Sequence, residues 1–293
     1  MRDLAARLDW GLIPAVPVPF RGAEIDHKAQ SAYARWMATQ PVAGVAVWAH
    51  TGRGPHLSSA QRTVVLDAWR RGLPDAAIVA GVNSPEMAAT AAAGGADALL
   101  AFPRAEQTVA YHRELAAIRP VIAFYLYERA GGVSYDDATL HTILDTPGVL
   151  GIKVATLDSI PTYRRIAAIV RDHPGKLLIT GEDRFLDQSI VLGARAALIG
   201  MGAALTDVQT GLLRAHAEGD AKRARQLAAT CDDFARATFG DPVEGYVRRM
   251  LWALAADGVI PEDACDDPWG PALAAAERET VRQAVRRARA ARA

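Results

Sequence analysis

Cysteine and lysine are both scarce in this chain. Cys231 and Cys265 are the two cysteines among 293 residues, and neither has metal-ligand spacing around it. Two thiols in a chain of this length are typical of a protein from a reducing compartment. The N-terminus is charged and has no apolar core, so it does not resemble a signal peptide. We therefore expect a cytoplasmic protein.

Charge of one sign and long apolar runs are also lacking. The 33 basic residues balance the 33 acidic ones, which gives a formal net charge of +0. This balance removes the usual electrostatic argument for binding nucleic acid or an anionic membrane. No apolar stretch approaches the roughly 20 residues that a membrane-spanning helix needs. The expected partner is a small molecule, with neither nucleic acid nor membrane involved.

Short apolar runs alternate with longer amphipathic stretches. The runs are rich in β-branched residues and often apolar on both faces, as buried parallel strands are. Helical segments lie between them, and several begin at a capping Ser or Asp. The predicted strands are 11–18, 44–50, 76–82, 98–103, 120–126, 149–155, 176–180 and 196–201.

Eight strand–helix units by about residue 218 predict an α/β fold, a (β/α)8 TIM barrel with additional C-terminal helices. Residues 1–218 would form the barrel, and residues 219–293 a helical extension packed on it. A doubly wound sheet is the alternative. The lack of a glycine-rich phosphate fingerprint after the first strand counts against that alternative.

Polar residues after the predicted strands are candidates for the site, because TIM barrels carry their chemistry at the carboxyl ends of the strands. Glu182 and Asp183 fit a helix N-terminus equally well. The candidates are His50, Thr51, Arg104, Tyr125, Tyr127, Arg129, Lys153, Thr156, Glu182 and Asp183.

Lys153 is the most informative of these candidates. Side chains alternate along a strand, so Lys153 shares a face with the small residues Gly151 and Ala155. Burying an ammonium without a partner is costly, and the usual response is a lowered pKa. A neutral amine is the nucleophile that imine formation with a carbonyl requires. The alternative is a lysine that reaches solvent from the strand end or pairs with an acid.

Tyr125 precedes Lys153 by 28 residues, which is one βα unit. Residues one unit apart lie at similar heights on adjacent parallel strands. We therefore predict a phenol beside the amine, where it can move protons during the carbinolamine and imine steps. The alternative is a core aromatic with a capped hydroxyl.

These residues resemble the dihydrodipicolinate synthase/N-acetylneuraminate lyase family, whose members are class I, Schiff-base-forming (β/α)8 enzymes. The resemblance covers nearly the whole chain and implies a homo-oligomer, a tetramer or a dimer, with no metal or organic cofactor. "YLYERAGG" takes the place of the family's Tyr-Asn-x-Pro-x-x-Thr-Gly motif. The other matching segments are "AVPVPF", "HTGRGPHLS", "GIKVAT", "ITGED" and "DPWGPALAAAERETVRQAV".

Departures from the family pattern indicate a changed substrate. The family's second-strand loop carries two threonines, the first of which relays protons to the catalytic tyrosine; His50 and Thr51 stand there here. The synthases hold a substrate carboxylate with an arginine that falls on Ala130 when the motif begins at Tyr125. The second relay tyrosine of the synthases is missing, which disfavours the lysine-pathway synthase.

The resemblance and its departures together predict a lyase or aldolase acting on pyruvate or a pyruvate-yielding 2-oxo sugar acid. Lys153 would form the imine, and Tyr125 would move protons with His50 as a general acid/base. The loop amides would help to hold the carboxylate. The residues predicted to bind the substrate are Thr51, Gly52, Arg53, Arg129 and Thr156.

Three alternatives stay open. One is a 2-keto-3-deoxy sugar acid dehydratase that uses the same imine chemistry. Another is a phosphate-binding isomerase barrel that uses "IGMGAA" near the eighth strand. The third is a non-catalytic 2-oxo-acid-binding barrel.

Overall fold

A parallel sheet forms the centre of the computed structural model, which describes residues 2–291. Each of its strands pairs with the next one along the chain, as a succession of βα units requires. A two-stranded hairpin precedes the sheet. The hairpin strands are β1 (Phe20–Arg21) and β2 (Glu24–Ile25), and the sheet strands are β3 (Gly44–Val47), β4 (Ala77–Val82), β5 (Ala98–Ala101), β6 (Val121–Leu126), β7 (Val149–Ala155), β8 (Leu177–Thr180) and β9 (Ala196–Ala197).

The chain before β1 closes this sheet into a barrel. Leu12 pairs with Ala197 of β9 on one side, and Ala15 pairs with Ala46 of β3 on the other, both in parallel. Backbone hydrogen bonds accompany both bridges, since Ile13 donates to Ala197 and Ala46 donates to Pro14, although Pro14 itself has no N–H to donate to β3. The predicted TIM barrel is confirmed, with its first strand reduced to this bridged segment.

Helices cover the outside of the barrel. The carboxylate of Asp26 and the hydroxyls of Ser58 and Ser84 cap the second, third and fourth helices, as the sequence predicts. None of the helices in the described part of the chain is long and apolar enough to cross a membrane. The helices are α1 (Arg2–Leu8), α2 (His27–Met37), α3 (Ser59–Gly72), α4 (Pro85–Ala93), α5 (Thr108–Ile118), α6 (Asp137–Asp145), α7 (Ile160–Arg171), α8 (Leu186–Val191), α9 (Thr206–Ala217), α10 (Ala221–Thr238), α11 (Tyr246–Ala256) and α12 (Ala275–Ala290).

Alternating side chains of the strands form two apolar layers. Along β6, Ile122, Phe124 and Leu126 pack with the interior residues of the other strands. Ala123 and Tyr125 pack on the opposite face, against the helices. The face on which a residue lies therefore decides whether it can reach the inside of the barrel.

The C-terminal helices share a core with the barrel. Phe234 of α10, Leu254 of α11 and Val281 of α12 belong to the same apolar cluster as Val45 of β3 and Leu212 of α9. α10 packs against both α9 and α12. The division of the chain at residue 218 into two units stays a prediction.

Candidate active site

A cavity opens at the carboxyl ends of the barrel strands, where TIM barrels carry their chemistry. The loops after β3, β6, β7, β8 and β9 line it, together with the chain around the start of α11. Its lining residues are His50, Thr51, Phe124, Leu126, Tyr127, Ala130, Lys153, Ala155, Leu157, Gly181, Glu182, Asp183, Arg184, Gly200, Phe239, Val243 and Tyr246.

Lys153 reaches this cavity from β7 and is only 7% exposed. Its Nζ lies 4.3 Å from the centroid of the Phe124 ring. Gly181 leaves room for the side chain, because a Cβ there would lie 2.6 Å from the lysine Cε. Burial lowers the pKa of Lys153 to about 8, while the charges of Asp183 and Glu182 oppose this shift. The amine is therefore closer to neutrality at physiological pH than a surface lysine.

Tyr125 lies on the other face of the sheet. Phe124, and not Tyr125, is the β6 residue opposite Lys153. The Tyr125 ring packs in the layer between the sheet and the helices, 6.3 Å from the ring of Tyr135. Its hydroxyl lies 3.2 Å from the Oγ of Ser134. The structure thus corrects the predicted position of Tyr125, which is outside the described lining of the cavity.

A slip in strand register explains this correction. Val121 of β6 pairs with Val149 of β7, a separation of 28 residues, but Ile122 pairs with Gly151. The register has shifted by one residue between the two pairs, and it keeps that shift to the end of β6. Because side chains alternate, a one-residue slip exchanges the faces of all later residues. A spacing of 28 residues therefore does not place Tyr125 beside the lysine.

The family motif, which begins at Tyr125 in the sequence, can also be aligned to begin at Phe124, the residue that faces the lysine. It then begins at Phe124 and ends at Gly131, so a ring without a hydroxyl occupies the tyrosine position. The arginine position moves from Ala130 to Arg129. Ala130 lines the cavity, whereas Arg129 is outside the described lining.

The predicted arginines have partners elsewhere. Arg53 is tied to the buried Asp267, with Nε 3.0 Å from Oδ1 and Nη2 2.6 Å from Oδ2. Arg129 is largely exposed, and its Nε lies 3.8 Å from the carboxylate of Glu244. Arg104 lies over a neighbouring tyrosine ring. None of these three arginines belongs to the described cavity lining.

His50 and Thr51 do line the cavity, from the loop after β3. Burial, followed by the charges of Lys153 and Arg53, lowers the pKa of His50 to about 4. The imidazole is therefore neutral at physiological pH, which leaves it able to accept a proton, and the predicted general acid/base role of His50 stays a prediction. Thr51 is 3% exposed, and its Oγ1 lies 3.1 Å from the hydroxyl of Tyr246.

The glycines of this loop allow close packing. A Cβ at Gly54 would lie 1.7 Å from the carbonyl oxygen of Trp48, so no side chain fits there. A Cβ at Gly52 would lie 2.9 Å from another backbone carbonyl. Neither glycine is among the described cavity residues. The loop is consequently folded tightly enough to turn Thr51 toward the cavity.

Two carboxylates lie in the cavity, the buried Glu182 and the half-buried Asp183. Glu182 is 2% exposed and accepts from the backbone N–H of Thr156, whose Oγ1 lies 2.9 Å from the same oxygen. Asp183 accepts from the backbone N–H of Met201 at 2.6 Å. Burial raises the pKa of each carboxyl to about 7. Thr156, predicted to bind the substrate, thus positions Glu182 from outside the described lining.

The C-terminal region supplies a wall of the cavity that sequence reasoning missed. The Tyr246 ring stacks on that of Phe239, with centroids 4.9 Å apart. The buried guanidinium of Arg249 fixes the connection between these two residues by donating to backbone carbonyls of 240–242 and to Glu277. In the sequence, "YVRRM" has the pattern of an ordinary helical face. No local signal marks its tyrosine as part of a site.

The segment "IGMGAA" does not present free amides for a phosphate. The N–H of Met201 already donates to Asp183. A Cβ at Gly200 would lie 2.9 Å from Cε2 of Tyr246, so the space beside this glycine is filled. A carboxylate at these amides would repel a phosphate. The structure gives no support to the isomerase alternative.

This geometry defines a class of protein, namely a TIM barrel whose cavity contains a buried lysine amine among carboxylates. Residues 9–288 match the model of the dihydrodipicolinate synthetase family, and the chain belongs to that family. The resemblance inferred from the sequence is confirmed. At the level of the family, the activity is that of a lyase.

Relatives and solved structures agree with this assignment. An uncharacterized DapA-like lyase of Chloroflexus aurantiacus is 25% identical over 244 residues, 76% of this chain and 80% of that protein. The probable 2-dehydro-3-deoxy-D-pentonate aldolase YjhH of Escherichia coli is 25% identical over 234 residues, 74% of this chain and 77% of that protein. The structure of YagE from Escherichia coli K12, in complex with pyruvate, has a TM-score of 0.85 at 19% identity, covering 95% of this chain and 98% of that one.

Proposed function

We propose that this protein is a lyase that forms a Schiff base between Lys153 and a 2-oxo acid, either pyruvate or a sugar acid that yields pyruvate. The observation that carries the proposal is the buried amine of Lys153, whose pKa is lowered to about 8, inside a cavity at the catalytic end of the barrel. The neutral amine attacks the ketone, and loss of water gives a protonated imine. That imine accepts electrons during C–C cleavage, the reverse condensation, or loss of a β-hydroxyl.

The loop after β3 is suited to hold the carboxylate of the substrate. The Thr51 side chain lines the cavity, which brings the backbone of this loop close to the space for the substrate. The backbone N–H groups of Thr51 and Gly52 have no acceptor within the described residues. Successive backbone amides without an acceptor form a favourable site for an anion. Arg53 supports this site through its pair with Asp267, which fixes the loop.

The carboxyl pair of Glu182 and Asp183 favours a hydroxylated substrate. Carboxylate oxygens accept hydrogen bonds from hydroxyl groups, and both residues line the cavity that contains the amine. YjhH is described as a probable sugar-acid aldolase, and YagE was solved with pyruvate. Loss of water from a 2-keto-3-deoxy sugar acid is the alternative reaction of the same imine.

A non-catalytic 2-oxo-acid-binding barrel is the second candidate. The observation that favours it is Phe124, a ring without a hydroxyl, which faces Lys153 from β6. A site that forms an imine but has no proton donor would hold its ligand without turning it over. Turnover measurements separate this candidate from the lyase.

Reductive trapping tests the Schiff base. Incubation with pyruvate and borohydride is expected to leave a pyruvyl adduct on Lys153, measured by intact mass and peptide mapping. Lys222→Met is the matched control and is expected to keep the adduct, because Lys222 is exposed on α10. No adduct with pyruvate or longer 2-oxo acids would contradict the proposal. An adduct without turnover of any sugar acid would favour the binding barrel.

The pH dependence of trapping follows from the lowered pKa of Lys153. Only the neutral amine attacks a carbonyl, so the initial rate is expected to rise with pH and to level off above about 8. An exposed lysine would continue to gain rate toward its ordinary pKa of about 10.4. Rapid mixing at each pH, followed by a quench into borohydride, measures this profile. A rate that still climbs above pH 9 or so would show that the amine is not desolvated.

A further inference from the structure

We propose that Tyr246 and Thr51 form the proton relay of this site, with the tyrosine supplied by the C-terminal region of the same chain. This inference rests on the Schiff-base function proposed above. The residue that faces Lys153 from β6 is Phe124, which has no proton to give. The hydroxyl of Tyr246 lies 3.1 Å from Oγ1 of Thr51, and both residues line the cavity that contains the lysine.

The packing around Tyr246 holds the phenol in this position. A Cβ at Gly200 would lie 2.9 Å from Cε2 of Tyr246 and 3.1 Å from Oγ1 of Thr51, so glycine allows the pair to approach the end of β9. Phe239 stacks on the tyrosine ring, with the two planes 20° apart. The pair is therefore fixed by two contacts besides its own hydrogen bond.

The charge state of the phenol suits a proton donor. Burial raises the pKa of Tyr246 above its ordinary range, while the hydrogen bond to Thr51 and the charge of Arg53 oppose this shift. The resting phenol is consequently protonated. A positive imine forming on Lys153 would stabilise a transient phenolate in the same cavity.

The other candidate donors fit less well. His50 is neutral, because its pKa is lowered to about 4. Tyr125 packs on the helix side of the sheet. Tyr127 also lines the cavity, but within the described residues no hydrogen bond joins its side chain to Thr51. Tyr246 is the cavity phenol with a hydrogen-bonded hydroxyl partner.

The relay acts in two steps. Lys153 adds to C2 of the 2-oxo acid, and one amine proton passes to the carbonyl oxygen to give a carbinolamine. Tyr246 then donates its phenolic proton to the carbinolamine hydroxyl, the C2–O bond breaks, and water leaves as the protonated imine forms. The phenolate, stabilised by the O–H of Thr51, removes a proton from C3. The C3–H electrons form the C2–C3 double bond, the C=N electrons return to nitrogen, and the tyrosine has regained its proton.

Exchange of the methyl protons of pyruvate for solvent deuterium tests this relay, because exchange requires the enamine. The rate is followed by NMR for the full-length Tyr246→Phe variant beside Tyr127→Phe. We expect Tyr246→Phe to slow exchange about 100-fold or more, as loss of general acid–base catalysis does. Tyr127→Phe is expected to have a much smaller effect. Borohydride adducts on Lys153 should still accumulate in Tyr246→Phe during long incubation, since the amine is intact.

The possible failures are distinguishable. Equal exchange in the wild type and Tyr246→Phe would overturn the relay, and so would a larger loss in Tyr127→Phe. Absence of both adduct and exchange in the wild type would overturn the Schiff-base function, and the relay with it. If Tyr246→Phe does not fold, Thr51→Val and Thr51→Ser replace it. Serine keeps the hydroxyl, so rescue of exchange by serine but not valine supports the relay, and equal rates overturn it.

Discussion

Methionine in place of Lys153 is expected to abolish the exchange of pyruvate protons. A thioether cannot add to a carbonyl, so neither imine nor enamine forms, and the rate should fall by at least about a thousandfold. Deuterium exchange followed by NMR measures this loss. Lys222→Met, on the exposed face of α10, is the control and should retain the wild-type rate. Exchange that survives in Lys153→Met would mean that another group performs the chemistry.

The same substitution is expected to stabilise the fold. The pKa of Lys153 is lowered from 10.5 to about 8 by burial, so the folded state binds the proton more weakly than the unfolded state. Below pH 8 the amine is charged in both states and the full penalty applies, on the order of 3 kcal/mol. The penalty disappears as pH rises from about 8 to about 10.5. Urea unfolding of Lys153→Met should therefore show its largest gain at neutral pH, and a less stable variant would indicate a paired amine.

Loss of the buried Arg249 guanidinium is the second large effect that we expect. Arg249 is 1% exposed, and its Nε lies 2.8 Å from the carboxylate of Glu277. Its Nη1 also donates to the carbonyl of Gly240 at 2.7 Å. Arg249→Met leaves these acceptors without a donor, so the free energy of unfolding should fall by about 3–5 kcal/mol. Urea unfolding at neutral pH measures this change.

An exposed ion pair of the neighbouring helix α12 provides the control. Arg287 on α12 pairs with Asp233 at 2.9 Å, and both side chains are largely solvated. Arg287→Met is expected to cost less than about 1 kcal/mol, because solvent screens such pairs. Equal losses in the two variants would show that Arg249 does not fix the segment before α11. A selective loss in Arg249→Met should also slow proton exchange, since that segment positions Phe239 and Tyr246.

The barrel and its lysine were predictable because both depend on local pattern. Apolar runs of strand length, separated by capped amphipathic helices, determine the βα succession wherever they occur. Lys153 stands out because a charged residue interrupts such a run between Gly151 and Ala155. The first strand was predicted as well, because its apolar character is a local pattern that the missing N–H of Pro14 does not change.

The residues proposed for proton transfer were not predictable in this way. A single register shift between β6 and β7 brings Phe124 to the lysine and sends Tyr125 to the opposite face, and alternation alone does not show where strands slip. The sequence indicates no partner for the Arg53 side chain, but the fold pairs it with Asp267, which is 214 residues away.

The sequence by itself determined the architecture of this protein and the nucleophile proposed for it, because periodicity and the cost of burying an amine act on neighbouring residues. Only the tertiary structure decided which groups surround that amine. Thr51 and Tyr246 meet across 195 residues of chain, and the packing of the cavity desolvates Glu182 and Asp183. Such meetings depend on how the barrel closes and how the C-terminal helices pack on it, and these contacts leave no periodic signal in the sequence.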